Sequence, residues 1–275
     1  MCNALQVSRS GYYAWRANPI SNRARQDIDL TEQITCVFNK GWQKYGPKKV
    51  REVLVKKGVL ISRKRTARLM SEAALTPKLK RKYKVTTDSK HKLYIAPNLL
   101  KRQFNIAQPN RVWAGDITCI LTRKGWLYLA TVMDLHSRKI VGWSMANHMR
   151  AELVNDALTM AVWRRKPSKG LVWHSDRGSQ YCSKSHRAII KDHGISQSMS
   201  RKGDCWDNAT SESFFSTLKR ELDGIDDFDN QQQASAAIFE YIEVFYNKIR
   251  VHSTIGYVAP EEFERKSNIV KYCVR

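Results

Sequence analysis

Three acidic residues have the positions expected of a metal-binding set. Asp116 lies inside the apolar pattern WAGDIT, which predicts a β-strand, and Asp176 directly follows a second apolar run at 171–173. Two bare carboxylates repel each other, so if these aspartates are neighbours the pair favours a bound cation or a shared proton. Carboxylate oxygens are hard ligands that suit Mg²⁺, which makes a magnesium site the leading hypothesis.

A third acidic residue follows on a predicted helix. Glu212 lies one turn into a helix that begins near Asn208, and 35 residues separate it from Asp176. Lys219 lies seven residues after Glu212, two turns on and on the same helix face. We therefore predict that Glu212 completes the acidic set and that Lys219 contacts a phosphate group of bound nucleic acid.

Each of these residues also has a structural explanation. A lone aspartate in or after a strand is usually an edge or turn residue, and a lone Glu212 or Lys219 is typical of a helix surface. The functional interpretation therefore depends on the order and spacing of the whole set. Other polar or aromatic residues are assigned mainly structural positions: Asp134 in a turn, Asp204 and Asp207 in a loop or N-cap, His174 and His193 in packing, and Trp206 in the core or against an unpaired base.

The elements around the acids predict an α/β fold. Strand patterns at 111–121, 126–135 and 140–145 are joined by short turns, which is typical of an antiparallel meander. A helix at 151–165, with Leu153 and Trp163 among its inward candidates, precedes two further strand–helix pairs. The order βββαβαβα predicts a ribonuclease H-like mixed five-stranded sheet with helices on both faces. In such a sheet the first and fourth strands are neighbours, which would bring Asp116 and Asp176 together.

Charge separates the amino-terminal part from the rest. Residues 1–110 hold 24 Lys and Arg against 6 Asp and Glu, a net charge of +18, whereas residues 111–275 carry only +5. Three short helices are predicted here, and the third carries outward cations, which resembles a helix-turn-helix module that binds a polyanion. The predicted DNA contacts on that helix are Arg63, Lys64, Arg65 and Arg68. A generic helical bundle with a solvated basic surface is the alternative.

The predicted organisation has four parts. Residues 1–75 form an all-α module, 76–107 a basic linker that includes the cluster Lys78 to Lys84, 108–225 the catalytic core, and 226–275 a helical extension. No apolar window approaches 18 residues and the amino terminus lacks a secretion-signal pattern, so a cytoplasmic protein without a membrane partner is expected.

The motifs resemble those of DDE transposases and retroviral integrases. WAGDIT, HSDRGSQY and DNATSESFFSTLKRE match the three catalytic segments of that superfamily in order and spacing. The segments GWLYLATVMDLHSRKIVGWSM, YNKIRVHSTIGYVAPEEF and YGPKKVREVL resemble the bacterial insertion-sequence-three family, specifically its downstream reading-frame product. Together these motifs span nearly the whole chain.

The resemblance implies a function and its residues. Asp116, Asp176 and Glu212 become catalytic acids that bind two Mg²⁺ or Mn²⁺ ions and support DNA cleavage and transfer of 3′-hydroxyl ends. It further implies a multimer on element and target DNA at the bacterial nucleoid, and fusion to an upstream reading-frame product. An inactive DNA-binding regulator and a nuclease without strand transfer are the alternatives.

Overall fold

The computed structural model describes residues 2, 4–17, 20–78, 94–201, 205–222, 225 and 227–273. The chain divides into two compact units, Met1–Lys78 and Leu79–Arg275. Most of the predicted basic cluster and the first half of the predicted linker lie outside the described residues. Among the described residues, no helix is both long and apolar enough to cross a membrane.

The first unit is helical, as the sequence predicted. Its helices are α1 (Arg9–Ala17), α2 (Asn22–Lys40), α3 (Pro47–Lys56) and α4 (Arg63–Glu72). Proline at the first position begins α3, and the Ser62 hydroxyl accepts a hydrogen bond from the Arg65 N–H at the start of α4. The apolar side chains between α2, α3 and α4 are buried: Ile34, Val37, Phe38, Val50, Leu54, Leu69 and Met70.

The second unit is built on one mixed sheet. Its strands are β1 (Val112–Thr122), β2 (Gly125–Asp134), β3 (Ile140–Ala146), β4 (Val172–Ser175) and β5 (Ser196–Met199). The strand order is β3-β2-β1-β4-β5, with antiparallel pairing on the β1–β2–β3 side and parallel pairing of β1, β4 and β5. This arrangement confirms the predicted ribonuclease H-like sheet.

Helices cover both faces of this sheet. They are α5 (Ala151–Arg165), α6 (Lys184–Asp192), α7 (Ala209–Glu221), α8 (Gln231–Glu240) and α9 (Pro260–Cys273), and a π-helical turn, Tyr241–Tyr246, continues α8. The inner sides of α5 and α6 share one apolar core with Trp113 and Trp173. The prediction that Trp163 faces inward is wrong, since its side chain is 74% exposed on the outer side of α5.

Buried polar contacts attach the carboxyl-terminal segment to the sheet. The Asn247 side chain accepts a hydrogen bond from the Ile140 N–H at 3.0 Å and donates one to the Ile140 carbonyl at 3.0 Å. Glu264 accepts hydrogen bonds from Arg165 on α5 and from the Ser137 hydroxyl. Residues 227–273 thus belong to the same compact unit as the sheet, and the predicted division of the chain into linker, core and extension stays a prediction.

Candidate active site

Asp116 lies in β1, and Asp176 directly follows the neighbouring parallel strand β4. The parallel register pairs Ala114 on β1 with His174 on β4, and two residues further along each chain are Asp116 and Asp176. Both side chains are half-buried. The strand β4 ends at Ser175, so Asp176 is the first residue of the loop that leaves this edge of the sheet. The sequence-based expectation that these two acids meet agrees with this placement.

Local sequence explains how each carboxylate is held. The Asp176 Oδ1 accepts a hydrogen bond from the Gly178 N–H at 2.8 Å, which closes a tight turn after β4. The residue before Asp116 is Gly115, and the indole of Trp173 lies against its backbone. A Cβ on Gly115 would come within 2.1 Å of that indole, so no larger residue fits without moving it. Close packing of β1 on β4 therefore brings the two acids to one place.

The electrostatics around Asp116 are those of a buried acid beside other acids. Burial raises the pKa of Asp116 well above its ordinary value of 3.8, and the charges of Asp176 and Glu212 raise this pKa further. Hydrogen bonds from the Ile117 N–H and the Asn208 side chain act in the opposite direction and favour the charged form. At this edge of the sheet, bringing in a cation would relieve the repulsion.

Glu212 approaches this pair from α7 without closing a complete ligand set. It lies in the first turn of α7 and its side chain is exposed, while partial burial raises its pKa. Its charge nevertheless acts on Asp116. Within the described ranges, no three His, Cys, Asp or Glu side chains are close enough to hold one metal ion. Two acids therefore lie together and the third lies within electrostatic reach.

The chemistry of these donors fits a hard divalent cation. The three side chains offer only carboxylate oxygens, which are the ligands that Mg²⁺ and Mn²⁺ take. Four buried polar atoms on neighbouring segments make no hydrogen bond to the described residues: the side-chain amide oxygen of Asn208 and the hydroxyls of Tyr181, Thr210 and Ser211. Such unused polar atoms beside an acidic cluster are consistent with a site that is completed by bound groups. Sequence reasoning missed Tyr181 and Asn208, although both lie in motifs that contain the acids.

Lys219 lies on α7 but is less accessible than its predicted role requires. Its side chain is only 9% exposed. Burial lowers the pKa of Lys219, whereas the neighbouring groups Cys119 and Asp116 raise it. The ammonium therefore lies on the side of α7 that faces β1 and Asp116. Its predicted contact with a phosphate stays a prediction, and any such phosphate would have to come close to the acids themselves.

The four cations of α4 divide into two kinds. Arg63 and Lys64 are exposed. Arg65 and Arg68 instead bind the two oxygens of Asp27 on α2, at 2.7 and 2.6 Å. These ion pairs lower the pKa of Asp27, with the Arg68 hydrogen bond the largest contribution. Arg65 and Arg68 therefore fasten α4 to α2, a role that the outward-facing pattern did not indicate, and the prediction that they contact DNA stays untested.

The other polar residues have structural positions. Asp134 is fully buried and accepts hydrogen bonds from the N–H groups of Asn110 and His136, which confirms its predicted turn role. His174 is buried between the Ser198 hydroxyl and the Asp207 carbonyl. His193 was expected to have a packing role, but its side chain is exposed and it is the C-cap residue of α6. Asp204 and the side chain of Trp206 lie outside the described part of the chain.

Asp207 has a larger role than the predicted loop or N-cap position. The residue that precedes α7 as its N-cap is Asn208. Asp207 is 1% exposed, and its carboxylate accepts hydrogen bonds from Asn98, Arg102 and Arg201. It therefore links the segment before β1, the segment after β5 and the start of α7. The contacts with Asn98 and Arg102 join residues more than 100 positions apart, and no local sequence pattern indicates them.

Comparison with known proteins covers nearly the whole chain. Two family models, each described as an integrase core domain, match residues 106–205 and 193–260, and a model of an HTH-like domain matches residues 25–83. The chain is 43% identical over 266 residues to the insertion element IS600 uncharacterized 31 kDa protein of Shigella sonnei, covering 97% of this chain and 98% of the relative.

Further relatives include a named transposase and solved integrases. The chain is 41% identical over 269 residues to transposase InsF for insertion sequence IS3A of Escherichia coli (strain K12), covering 97% of this chain and 93% of that protein. The solved HTLV-2 integrase catalytic core domain in complex with magnesium is 17% identical, with a TM-score of 0.43, covering 57% of this chain and 97% of that one.

Proposed function

Because the chain belongs to the IS3 family of insertion-sequence transposases, we propose that it cleaves DNA at the ends of its element and transfers the 3′-hydroxyl ends to a target strand. The observation that carries this proposal is the placement of Asp116 in β1 beside Asp176, directly after β4, where the charge of Asp176 acts on Asp116. An acidic pair of this kind is suited to cations that bind together with a phosphodiester.

The proposed roles follow from where each side chain lies. Asp116 and Asp176 offer their oxygens from the sheet edge, and Glu212 offers its oxygens from the first turn of α7. When bound, two Mg²⁺ or Mn²⁺ ions would supply an activated nucleophile and charge stabilisation on the leaving oxygen. Lys219, which lies near Asp116, would add positive charge to the phosphate that the acids face. No covalent intermediate with the protein is required.

The amino-terminal unit is proposed to hold the DNA. It matches an HTH-like domain and belongs to the part of the chain with a net charge of +18. A charged surface of this kind binds phosphates without covalent chemistry, and its affinity falls as salt rises. We further propose a multimer that joins two element ends, acting at the nucleoid and working as a fusion with the upstream reading-frame product.

Strand transfer from a labelled element end tests the proposal. The substrate is a short duplex that ends in a free 3′-hydroxyl, incubated with target DNA, and the joined product is counted. Wild type is compared with Asp176→Asn and with the control Asp156→Asn, which changes an exposed acid on α5. Wild type and Asp156→Asn should form joined product, and Asp176→Asn should form none while still shifting DNA in a gel.

The metal requirement gives a second arm to the same assay. Joining should proceed with Mg²⁺ or Mn²⁺ and fail with Ca²⁺, whose looser coordination does not position an in-line attack. Joining in excess EDTA would contradict the two-metal proposal. Cleaved but unjoined DNA would instead identify a nuclease, and binding without any cleavage would identify an inactive regulator.

A further inference from the structure

Tyr181 carries a buried hydroxyl that its fold does not use. The residue is 1% exposed, and its hydroxyl makes no hydrogen bond to the described part of the chain. Burying a hydroxyl without a partner costs free energy, and most buried polar groups in proteins are paired. A phenylalanine would fill the same space without that cost. The hydroxyl therefore requires an explanation other than the stability of the fold.

The tyrosine ring is held beside the acids by packing. The Tyr181 backbone N–H donates a hydrogen bond to the Gly178 carbonyl at 3.0 Å, in the same turn that the Asp176 carboxylate closes. A Cβ on Gly178 would lie 3.0 Å from the Asp176 Oδ1 and 3.6 Å from the Tyr181 Cδ2. The ring and that carboxylate thus flank one glycine. On its other sides the ring meets Trp173, at 6.1 Å between centroids, and His186, at 5.6 Å.

The charges around Tyr181 make its hydroxyl a hydrogen-bond donor. Burial raises the pKa of Tyr181 well above its ordinary value of 10.0, and the negative charges of Asp116 and then Asp176 raise this pKa further. The phenol therefore stays protonated at any pH at which the protein works. A protonated phenol next to carboxylates has one useful hydrogen bond to make, and it donates that bond to an acidic oxygen.

We propose that Tyr181 is a positioning residue of the acidic site, whose hydroxyl donates a hydrogen bond to a carboxylate of the pair Asp116 and Asp176 when the site is loaded. The geometric basis is a buried, unused hydroxyl on a ring that flanks Gly178 together with the Asp176 carboxylate. The bond would fix that carboxylate so that its remaining lone pairs face the bound cation. This inference rests on the proposed function, since it assumes that the two aspartates are ligands.

Groups of this kind, which hold a ligand without touching the metal, have a known signature. Their removal typically weakens metal affinity or activity by about 10–100-fold while the ligands themselves remain. Here the signature has a second part. Tyr181→Phe removes a hydroxyl that the metal-free fold leaves unsatisfied, so the metal-free protein should unfold at the same temperature as wild type or at a higher one.

The test is direct Mn²⁺ binding by the full chain, measured by electron paramagnetic resonance together with metal-free thermal unfolding. Tyr181→Phe should bind Mn²⁺ at least about 10-fold more weakly than wild type without losing thermal stability. The matched control is Tyr241→Phe. The Tyr241 hydroxyl is also buried but donates to the Glu221 Oε2 at 2.9 Å. That variant should lose thermal stability and keep wild-type Mn²⁺ affinity.

The outcomes separate this inference from the function on which it rests. Equal Mn²⁺ affinity in wild type and Tyr181→Phe overturns the positioning role and leaves the proposed function intact. A fall in thermal stability of Tyr181→Phe equal to that of Tyr241→Phe also overturns it, because the hydroxyl would then serve the fold. If wild type binds no Mn²⁺ and joins no DNA, the proposed function fails first and this inference fails with it.

Discussion

The second unit contains two groups of carboxylates with opposite electrostatic surroundings: Asp207 and Glu221 in one, Asp116 and Asp176 in the other. Asp207 and Glu221 are buried and form salt bridges with arginine. Asp207 pairs with Arg102 and Arg201, and Glu221 pairs with Arg250. Asp116 has another acid, Asp176, as the charged neighbour with the largest effect on its pKa. The hydrogen bonds that reach it come from a backbone N–H and an amide side chain. Asp207 and Glu221 thus have positively charged partners, whereas the largest charge effect on Asp116 comes from another acid.

The two kinds of surroundings shift the pKa values of Asp207 and Asp116 in opposite directions. The hydrogen bond from Arg201 holds the pKa of Asp207 far below its ordinary value, with further help from Arg102. Burial and like charge move the pKa of Asp116 in the opposite direction. Paired carboxylates stabilise the fold at neutral pH, and an uncompensated one destabilises it. Asp116 and Asp176 therefore destabilise the metal-free fold at the place where we propose that a cation binds.

The largest effect is expected from Asp116→Asn. Joining of DNA should fall by at least about 10³-fold, because a lost metal ligand removes several kcal/mol of transition-state stabilisation. Metal-free stability at neutral pH should change in the opposite direction and rise by about 0.5–2 kcal/mol, because the repulsion with Asp176 is removed. Strand-transfer assays and denaturant unfolding in EDTA measure the two quantities. If Asp116→Asn lost both joining activity and metal-free stability, the proposal that repulsion between Asp116 and Asp176 destabilises the metal-free fold would be wrong.

The pH dependence of the same pair provides the control. The folded-state pKa of Asp116 is raised, so the folded state binds more protons than the unfolded state above pH 3.8, and stability falls as pH rises through that window. Asp116→Asn cannot titrate at this position. The stability gain of the variant in EDTA should therefore grow as pH rises from about 4, and a gain that is constant with pH would show that charge is not its cause.

Arg250→Ala should have the largest effect on stability alone. Glu221 is buried and accepts two bonds from Arg250, at 2.7 and 2.9 Å, and one from the Tyr241 hydroxyl. Removing the guanidinium leaves a buried charge, which typically costs about 3–5 kcal/mol. Denaturant unfolding measures this loss. The double variant Arg250→Ala with Glu221→Gln should recover part of it, and no recovery would mean that the arginine acts by packing.

Asp207→Asn should have a smaller but clear effect. The asparagine keeps the shape and loses the charge that Arg102 and Arg201 contact, and hydrogen bonds to charged groups contribute about 1.5–3 kcal/mol. Because the pKa of Asp207 is lowered in the folded state, its contribution is present above pH 3.8 and disappears as pH falls below that value. The stability difference between wild type and variant should therefore begin to shrink as pH falls below about 4, which unfolding curves between about pH 7 and about pH 2 would reveal.

Sequence patterns predicted the helices and strands well, because apolar residues recur at a different spacing in each type of element. The five strands, the caps of α3 and α4 and the neighbouring positions of β1 and β4 follow from apolar alternation, from Pro47 and Ser62, and from topology rules. The three acids lie in or next to such elements: Asp116 inside β1, Asp176 directly after β4 and Glu212 in the first turn of α7. What a period does not specify is which neighbours a polar side chain meets in space.

Three positions illustrate that limit. Trp163 looks like a core residue from its type, but its place on α5 turns it to the exposed side. Arg65 and Arg68 form ion pairs with Asp27, about 40 residues earlier, and Lys219 is buried on α7. Local patterns contain no information about these surroundings, and the DNA contacts of Arg65, Arg68 and Lys219 stay predictions.

The smallest expected effect extends the comparison to α4 of the first unit. Arg63 and Lys64 are exposed, whereas Arg65 and Arg68 are bound by Asp27. If only the exposed pair meets phosphates, Arg63→Ala and Lys64→Ala should each reduce the slope of log affinity against log salt by about 0.9 without changing thermal stability. Arg65→Ala should instead lower the unfolding temperature and leave that slope unchanged. Gel-shift titrations of a labelled duplex at several salt concentrations, with thermal unfolding of each variant, make the measurement. Equal slope losses at Arg63 and Arg65 would show that the Asp27 ion pairs open when DNA binds.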